Sequence, residues 1–235
     1  MTQIAGYQSW RRLAFLHWRV SSSDLQPLVP ADLTIEEFDG SAWLGLVPFS
    51  MERIRPWWSP PVPGISWFLE TNVRTYVRHR SGATGVWFFS LDANSRIAVS
   101  VARRFWSLPY FHATMTLDCR TTGNAKQILY TGGRTAEPRA EYSVSVQIDP
   151  QQTPQPASPG TLEHFLVERY LLFAQHPSGG LFSGQVFHPP YQIVPATCEV
   201  LRNLLTIQSS RIGHTPDHAV FSQGVDVSVS RLTRL

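Results

Sequence analysis

The stretch IAVSVARRFWSLPYFHATMTL, Ile97–Leu117, predicts a helix, a sharp turn and a strand with two different faces. Its first half has the i, i+4, i+7/i+8 spacing of a helix that packs one stripe on a core. That stripe is formed by Ile97, Val101, Arg104 and Phe105. Pro109 has no N–H to donate and disfavours helix in the residue before it, so the chain turns there.

After Pro109 the residues alternate with the period of two that is typical of a β-strand. One face is polar and consists of Tyr110, His112, Thr114 and Thr116. The other face is apolar and consists of Phe111, Ala113, Met115 and Leu117. Such a strand can line a cavity with its polar face, or it can be an ordinary strand with one face in solvent. The pattern by itself leaves both interpretations open.

A second strand with a polar face is predicted over Trp67–Arg78, WFLETNVRTYVR. The face that carries the polar groups consists of Phe68, Glu70, Asn72, Arg74, Tyr76 and Arg78. Its carboxylate, amide and guanidinium form a ladder about 13 Å long, because alternate strand residues lie roughly 6.7 Å apart. In solvent this ladder would contribute little, whereas in a cavity it would offer three polar groups to one ligand. The flanking aromatic side chains favour the cavity.

The composition indicates a single folded domain over residues 1–235. The chain is 43% hydrophobic and only 16% charged, which argues against disorder. A chain of 235 residues exceeds the usual domain size, but β-rich folds commonly reach this length as one domain. Eight Trp and thirteen Phe residues are available for a core and for the wall of a cavity.

Charge and cysteine content argue against several kinds of partner. The net charge is +3, but nineteen arginines are spread without a basic run and Lys126 is the sole lysine, so no nucleic-acid partner is expected. Cys119 and Cys198 lie far apart without a CxxC spacing, which is typical of reduced cytosolic thiols. No segment resembles a signal peptide or a membrane span of roughly 18 apolar residues. We therefore expect a cytoplasmic protein without a membrane partner.

The histidines do not form a metal-binding motif. Only His214 and His218 are closely spaced, and Pro216 between them argues against a helix that would present both to one ion. No nucleophile elbow, phosphate-binding glycine loop or HExxH motif is present in the sequence. We expect neither a metal nor a cofactor.

The rest of the chain predicts further strands and a second long helix. A β-hairpin is expected from Thr34–Phe38 and Ala42–Arg53, and a helix from Leu162–Phe173. Trp10–Val20 fits neither period well, and Pro56–Pro63 predicts an aromatic loop that is either a lid over a pocket or a plug at the core edge. About nine strands and two helices are typical of a β-rich α+β protein with a closed or nearly closed sheet.

Four segments resemble the domain-of-unknown-function family 2071 in their order and spacing. They are Glu70–Val77 (ETNVRTYV), Val86–Ala93 (VWFFSLDA), Val101–Met115 (VARRFWSLPYFHATM) and Glu163–Phe173 (EHFLVERYLLF). That family is grouped with the acetoacetate decarboxylase-like superfamily, which implies a β-rich fold centred on a barrel with a ligand cavity. The resemblance thus implies an α+β fold, with a closed or nearly closed antiparallel β-barrel and two main helices packed on it.

The resemblance also implies which chemistry is lost. Decarboxylases of the superfamily carry a motif similar to G-R-E-x-W-G-F-P-K-K, whose first lysine forms a Schiff base with a keto acid. At the matching positions Pro109 is kept, Arg104 replaces the glutamate, and Tyr110 and Phe111 replace the two lysines. A Schiff base needs an amine, and Lys126 lies beyond a turn with no reason to enter the cavity. The chain is therefore expected to lack the Schiff-base mechanism while keeping the cavity.

Together these faces predict a cavity with polar and aromatic walls. Its expected members are Glu70, Asn72, Arg74, Arg103, Tyr110 and His112, with Phe68, Tyr76 and Trp106 as further ligand-binding residues. An arginine suits a carboxylate through paired hydrogen bonds. Tyr110 and His112 are the expected proton donor and acceptor, and Glu70 is the expected base if burial raises its pKa. The alternative is an ion pair of Glu70 with Arg74 or Arg103 that only holds the barrel together.

Two functions fit this cavity, and we favour the first slightly. The first is a cytosolic protein that binds a small anionic or carbonyl-containing organic molecule without turning it over. The second is an enzyme of the lyase or isomerase type that uses Glu70, Tyr110 and His112 for acid–base chemistry. A weaker third is a partner-binding protein that docks through Trp57 and Trp58. The oligomeric state stays open, a homo-oligomer included.

Overall fold

The computed structural model describes residues 3–122, 125–177, 179–203 and 215–235, and this part of the chain contains fifteen strands and three α-helices. The strands are β1 (Ile4–Val20), β2 (Leu33–Ile35), β3 (Ala42–Pro56), β4 (Phe68–His79), β5 (Thr84–Ala93), β6 (Tyr110–Thr122), β7 (Ala125–Arg134), β8 (Glu141–Ile148), β9 (Gln155–Pro156), β10 (Leu171–Gln175), β11 (Leu181–Phe187), β12 (Gln192–Pro195), β13 (Thr197–Asn203), β14 (His218–Ser230) and β15 (Thr233–Arg234). The helices are α1 (Ser22–Leu25), α2 (Arg96–Trp106) and α3 (Leu162–Val167), and a 3-10 turn over Gln26–Leu28 follows α1.

Seven strands form a closed ring in the order β4, β5, β10, β11, β14, β1 and β3, which returns to β4. This confirms the predicted β-rich α+β fold with a closed sheet. The ring is not a regular antiparallel barrel, because β10 runs parallel to β5 and pairs with it through Leu172 and Val86. We call this closed sheet the seven-strand ring.

Strand β6 connects the seven-strand ring to a second sheet. It pairs in parallel with β5 through Leu91 and Tyr110, because α2 carries the chain back along the sheet before β6 begins. Further along, β6 pairs antiparallel with β7, which pairs with β8, and β8 pairs with β13. A second core lies between this sheet and the ring, where Val73 of β4 packs in one cluster with Ile128 and Val144. As a result β4 is buried on both faces.

Helix α2 is present as predicted, but its predicted buried stripe is wrong. Ile97, Val101 and Phe105 are 53%, 47% and 66% exposed. The residues of α2 that pack against the core of the ring are Ala98, Val99, Ala102 and Trp106. Both stripes of the helix are apolar, and the small alanine side chains allow the closer approach to the sheet. The apolar spacing could not distinguish the two stripes, because each satisfies the helical period.

The predicted helix over Leu162–Phe173 is wrong in its second half. Helix α3 ends at Val167, and β10 follows from Leu171. Strand β10 pairs with β11 on one side and with β5 on the other. These pairings satisfy its backbone N–H and C=O groups and override the helical pattern of its side chains.

Two further expectations concern the first strands. The segment Trp10–Val20, which fitted neither period, lies within β1. Its alternation is broken because Arg12 has a φ of 53° and the pairing of β1 with β3 shifts register between Arg11 and Leu16. The predicted hairpin is wrong in its pairing, since β2 pairs with β4 and not with β3.

In the part of the chain that the structure describes, every helix is too short or too polar to cross a membrane.

Candidate functional site

The seven-strand ring contains a cavity of about 170 Å³ with a mostly apolar wall. Strand β4 contributes its polar face to this wall, because alternate residues of a strand point to the same side. The β4 residues in the wall are Phe68, Glu70, Asn72 and Arg74. Other wall residues include Trp10, Phe15, Phe49, Leu91, Trp106, Tyr110 and Tyr191. The β4 ladder thus faces the cavity and not solvent.

Glu70 and Tyr110 form a hydrogen-bonded pair in the cavity wall. The Tyr110 hydroxyl donates to Oε2 of Glu70 at 2.8 Å, and both side chains are buried. Burial raises the pKa of Glu70 to about 7, with the nearby Asp92 raising it slightly more and the Tyr110 hydrogen bond opposing the shift. Among the described residues Glu70 has no ion pair, so the alternative of a Glu70 ion pair with an arginine is not what the structure contains. The carboxyl can therefore give or take a proton near neutral pH.

Arg74 is a buried cation in the same wall. Its Nη2 donates to the Leu166 carbonyl at 3.0 Å, and its guanidinium lies 5.6 Å from the ring centroids of Phe15 and Tyr76. Its Nε is buried and lacks a hydrogen-bond acceptor, and no carboxylate of the described chain forms an ion pair with it. Such a group carries an unfavourable desolvation free energy until an acceptor reaches it.

Asn72 stands between Glu70 and Arg74 on the same face of β4. Its Oδ1 is buried without a hydrogen-bond partner, and the residue is only 6% exposed. An amide can present either its oxygen or its nitrogen to the cavity, depending on the orientation of the group. The ladder therefore combines a titratable acid, an amide and a guanidinium without an ion pair among the described residues.

Tyr76 continues the ladder but is not in the cavity wall. It is fully buried, its hydroxyl donates to the Leu166 carbonyl at 2.8 Å, and the same hydroxyl lies 2.7 Å from Nε2 of His17. His17 in turn faces His218 across β1 and β14. The carbonyl of Leu166 thus accepts from both Arg74 and Tyr76 and joins α3 to the ladder.

Arg103 and His112 lie outside the cavity, contrary to the sequence expectation. Arg103 is exposed on α2, and its Nε donates to the backbone carbonyl of Tyr110 at 2.6 Å. His112 hydrogen-bonds Thr135 through Nδ1 at 3.0 Å. Only the first residue of the polar face of β6 reaches the cavity, because β6 leaves β5 after three paired residues. The later residues Thr114 and Thr116 are exposed.

Sequence reasoning missed Arg169 and the residues that β1 contributes to the wall. Arg169 lines the cavity and forms an ion pair at 2.7 Å with Glu36, a carboxylate that also pairs with Arg78 at 2.6 Å. The wall also includes Leu13 and Phe15 of β1. Leu13 and Phe15 alternate with period two, but the irregularity at Arg12 interrupts this pattern along the segment.

Several other candidates lie away from the cavity. Lys126 is on β7 in the second sheet and is not a wall residue. Trp57 and Trp58 are 57% and 71% exposed, so these rings do not plug the core. The described residues contain no group of three or more His, Cys, Asp or Glu side chains that could hold a metal ion. His214 of the closely spaced histidine pair lies outside the described residues.

Most of the chain matches one known protein family. Residues 7–226 match the domain-of-unknown-function family 2071, described as an uncharacterised conserved protein. The chain belongs to this family. It is also 35% identical over 199 residues to "Uncharacterized protein YqjF" of Bacillus subtilis (strain 168), an alignment that covers 85% of this chain and 79% of that protein.

Solved structures with a similar fold are acetoacetate decarboxylase-like proteins. An acetoacetate decarboxylase-like enzyme from Sphingomonas wittichii RW1 matches with a TM-score of 0.66 and 13% identity, over 99% of this chain and 94% of that one. The acetoacetate decarboxylase of Legionella pneumophila matches with a TM-score of 0.66 and 12% identity, over 99% of this chain and 88% of that one. The enduracididine biosynthesis enzyme MppR, complexed with pyruvate, matches with a TM-score of 0.62 and 10% identity, over 100% of this chain and 91% of that one. These likenesses establish the fold of the family member described here.

Proposed function

We propose that this protein binds a small organic molecule with a carboxylate or carbonyl group in the cavity of the seven-strand ring. The observation that carries the proposal is Arg74, a residue only 8% exposed whose Nε has no acceptor and which has no ion pair among the described residues. A ligand oxygen would supply the missing acceptor, and a carboxylate would also balance the charge.

The rest of the cavity sets the size and shape of the ligand. A void of about 170 Å³ is close to the apolar cavities of about 150 Å³ that take up benzene. The aromatic wall suits the body of a single-ring or short-chain molecule, while Asn72 and Arg74 suit its polar end. A fold neighbour, MppR, is complexed with pyruvate, which is a small carboxylate with a carbonyl group.

The proposal excludes decarboxylation through a Schiff base. The positions that match the motif lysines hold Tyr110 and Phe111, and neither side chain can form an imine. Lys126 is the sole lysine of the chain and is not a wall residue of the cavity.

We also propose that the protein is cytoplasmic and has neither a nucleic-acid nor a membrane partner, as the sequence predicts.

The binding proposal is tested with benzoate and hexanoate as probes and with benzyl alcohol and hexanol as uncharged analogues. Isothermal titration should give binding of the carboxylates at least tenfold tighter than that of the alcohols. Arg74→Gln should remove this preference, while Arg80→Gln, an exposed arginine paired with Asp32, should keep it. Equal binding of acids and alcohols by the unmodified protein would overturn the proposal. If Arg74→Gln does not fold, Arg74→Met, which keeps an unbranched side chain without the charge, provides the second variant, with the same expected loss.

A second candidate function is an enzyme that moves a proton on the bound molecule. The specific observation in its favour is the pKa of Glu70 near 7 inside the cavity, next to Tyr110. The ionised carboxylate could remove a proton from the carbon beside a ligand carbonyl, and the electron pair of that C–H bond would form the enolate. Arg74 would stabilise the enolate oxygen. His112 has no part in this version, because it lies outside the cavity.

Deuterium exchange separates the enzyme from the binding protein. Pyruvate and 2-oxobutanoate in D₂O are the probes, and NMR follows the loss of protons from carbon 3. An enzyme should exchange these protons faster than buffer does, and Glu70→Gln should abolish the excess rate while the probe still binds. Exchange at the buffer rate together with saturable binding would support the binding function and contradict the enzymatic one.

A further inference from the structure

The outer face of helix α2 carries a row of arginines on the side away from the cavity. Arg96, Ser100, Arg103 and Arg104 follow the i, i+4, i+7, i+8 spacing, so they share one helical face. Between this face and the start of β6 lies an open groove of about 630 Å³. Its polar lining residues are Arg96, Ser100, Arg103, Arg104, His112 and Thr135. Two of the residues that the sequence singled out, Arg103 and His112, therefore meet here.

The charges of this groove are uncompensated. None of the three arginines forms an ion pair with a residue that the structure describes, and no carboxylate lines the groove. The helix dipole favours Arg103 and Arg104 in the last turn but disfavours Arg96 at the first position, where α2 has no acidic residue. Three cations on one face raise the electrostatic free energy of the unliganded protein, and an anion in the groove would lower it.

The groove also holds two of its polar groups in fixed positions. Arg103 is anchored through Nε to the Tyr110 carbonyl at 2.6 Å, and its guanidinium lies 5.6 Å from the Phe111 ring centroid. His112 is oriented by the contact of its Nδ1 with Thr135 at 3.0 Å. The two Nη atoms of Arg103 and Nε2 of His112 have no hydrogen-bond partner among the described residues. The Nη donors of Arg103 are therefore available to a ligand without a large rearrangement.

We propose that this groove is a second binding site, which takes the phosphate or diphosphate group of a small phosphorylated molecule. Guanidinium groups match the geometry of phosphate oxygens through paired hydrogen bonds, and the Ser100 hydroxyl adds a neutral donor. The groove is open to solvent, so the organic part of the molecule can extend out of it. The inference is independent of the cavity, since Arg103, Arg104 and His112 are not wall residues there.

The test uses pyrophosphate and inorganic phosphate as probes, with isothermal titration at low ionic strength and NMR of the His112 imidazole. The double variant Arg96→Gln/Arg104→Gln removes two charges from side chains that make no described hydrogen bond, so the fold should persist. The control is Arg80→Gln/Arg139→Gln, which removes the same charge from exposed arginines elsewhere. We expect pyrophosphate affinity to fall at least tenfold in the groove variant and less than twofold in the control.

Two results would overturn the proposal. One is an equal loss of affinity in both double variants, because it would mean that pyrophosphate responds only to net charge. The other is the lack of saturable pyrophosphate binding by the unmodified protein. Binding that saturates and shifts the His112 resonances would support the site, and Arg103→Lys should then retain the charge but weaken the binding, because an ammonium cannot form the paired contact.

Discussion

The imidazoles of His17 and His218 face each other across β1 and β14, with their Nδ1 atoms 3.1 Å apart. His17 also contacts Tyr76, which in turn contacts the Leu166 carbonyl, and this carbonyl fixes the direction of each hydrogen bond. The Leu166 carbonyl can only accept, so the Tyr76 hydroxyl donates to it, and His17 must then donate from Nε2 to Tyr76. A neutral His17 therefore accepts at Nδ1, and His218 donates from its own Nδ1.

We expect the pair of His17 and His218 to lower the stability of the fold as the pH falls below 6.5, in opposition to the contribution of Glu70. The pKa of His17 is well below its ordinary value of 6.5, because it is buried and lies near His218 and Arg74. The pKa of His218 is also lowered by burial, although Glu163 opposes this shift. The unfolded chain takes up protons on both rings below pH 6.5 while the folded chain does not, so unfolding becomes easier. Urea titrations at pH 7 and pH 5 measure the difference.

The double variant His17→Gln/His218→Gln is the control for this effect. It removes both titrating rings, so its stability at pH 5 relative to pH 7 should be higher than that of the unmodified protein. An unchanged difference between the two pH values would mean that the histidines do not contribute. Nitrogen-15 NMR of the unmodified protein should independently give the Nε2–H tautomer for His17 and the Nδ1–H tautomer for His218.

We expect Glu70→Gln to stabilise the protein increasingly as the pH rises. A carboxyl with a folded-state pKa of about 7 and an ordinary value of 4.5 stabilises the fold while both states are protonated. That contribution is lost as the pH rises from 4.5 through 7, and it amounts to about 3 kcal/mol. Glutamine does not titrate and still accepts from Tyr110. The variant should therefore gain about 3 kcal/mol over the unmodified protein between pH 4.5 and pH 8, and a constant difference would contradict the raised pKa.

We expect Tyr110→Phe to raise the pKa of Glu70 above 7. The hydroxyl of Tyr110 stabilises the ionised carboxylate and partly offsets its burial. Carbon-13 NMR of the Glu70 carboxyl across the pH range gives the midpoint directly. Phe111→Leu is a suitable control, because residue 111 points to the opposite side of β6. A midpoint that moves down toward 4.5 in Tyr110→Phe would mean that water has entered the cavity.

We expect Gly45→Ala to disturb the position of Arg74. Gly45 pairs with His17 on one side and with Arg74 on the other, and a Cβ there would lie 3.1 Å from Cδ2 of His17 and 3.3 Å from Cγ of Arg74. The crowding should destabilise the fold by about 1–3 kcal/mol and weaken benzoate binding in the cavity. Gly133→Ala is the matched control, since its Cβ would lie 3.5 Å from the nearest side chain, Glu141. Loss of stability without any change in benzoate affinity would separate Gly45 from the ligand site.

Part of the candidate site could be predicted from the sequence because strand alternation is local. The period of two in β4 is enough to place Glu70, Asn72 and Arg74 on one face. The same reasoning failed for His112, although it shares the polar face of β6 with Tyr110. Whether a face lines a cavity depends on the strands beside it, and β6 leaves β5 after Ala93 pairs with His112.

The partners of the buried polar groups could not be predicted at all. Glu70 and Tyr110 are 40 residues apart and lie on strands that are separated by β5. The sequence predicts Arg103 in the cavity wall as a carboxylate-binding group, yet α2 presents it on the outer side. Only the packing of α2 through its alanines decides which stripe faces inward, and both stripes have the same period.

The sequence by itself determined the β-rich class, the polar face of β4, and the order of helix, turn and strand after Ile97. These properties follow from backbone geometry and residue type, which act over a few neighbouring positions. The tertiary structure decided that the ring closes through a parallel strand, that Glu70 meets Tyr110 and not an arginine, and that Arg103 and His112 share an outer groove. Each of these features depends on contacts between segments that are distant in the sequence. The residues that surround a buried side chain determine its protonation and its hydrogen bonds, and the local sequence pattern does not reveal them.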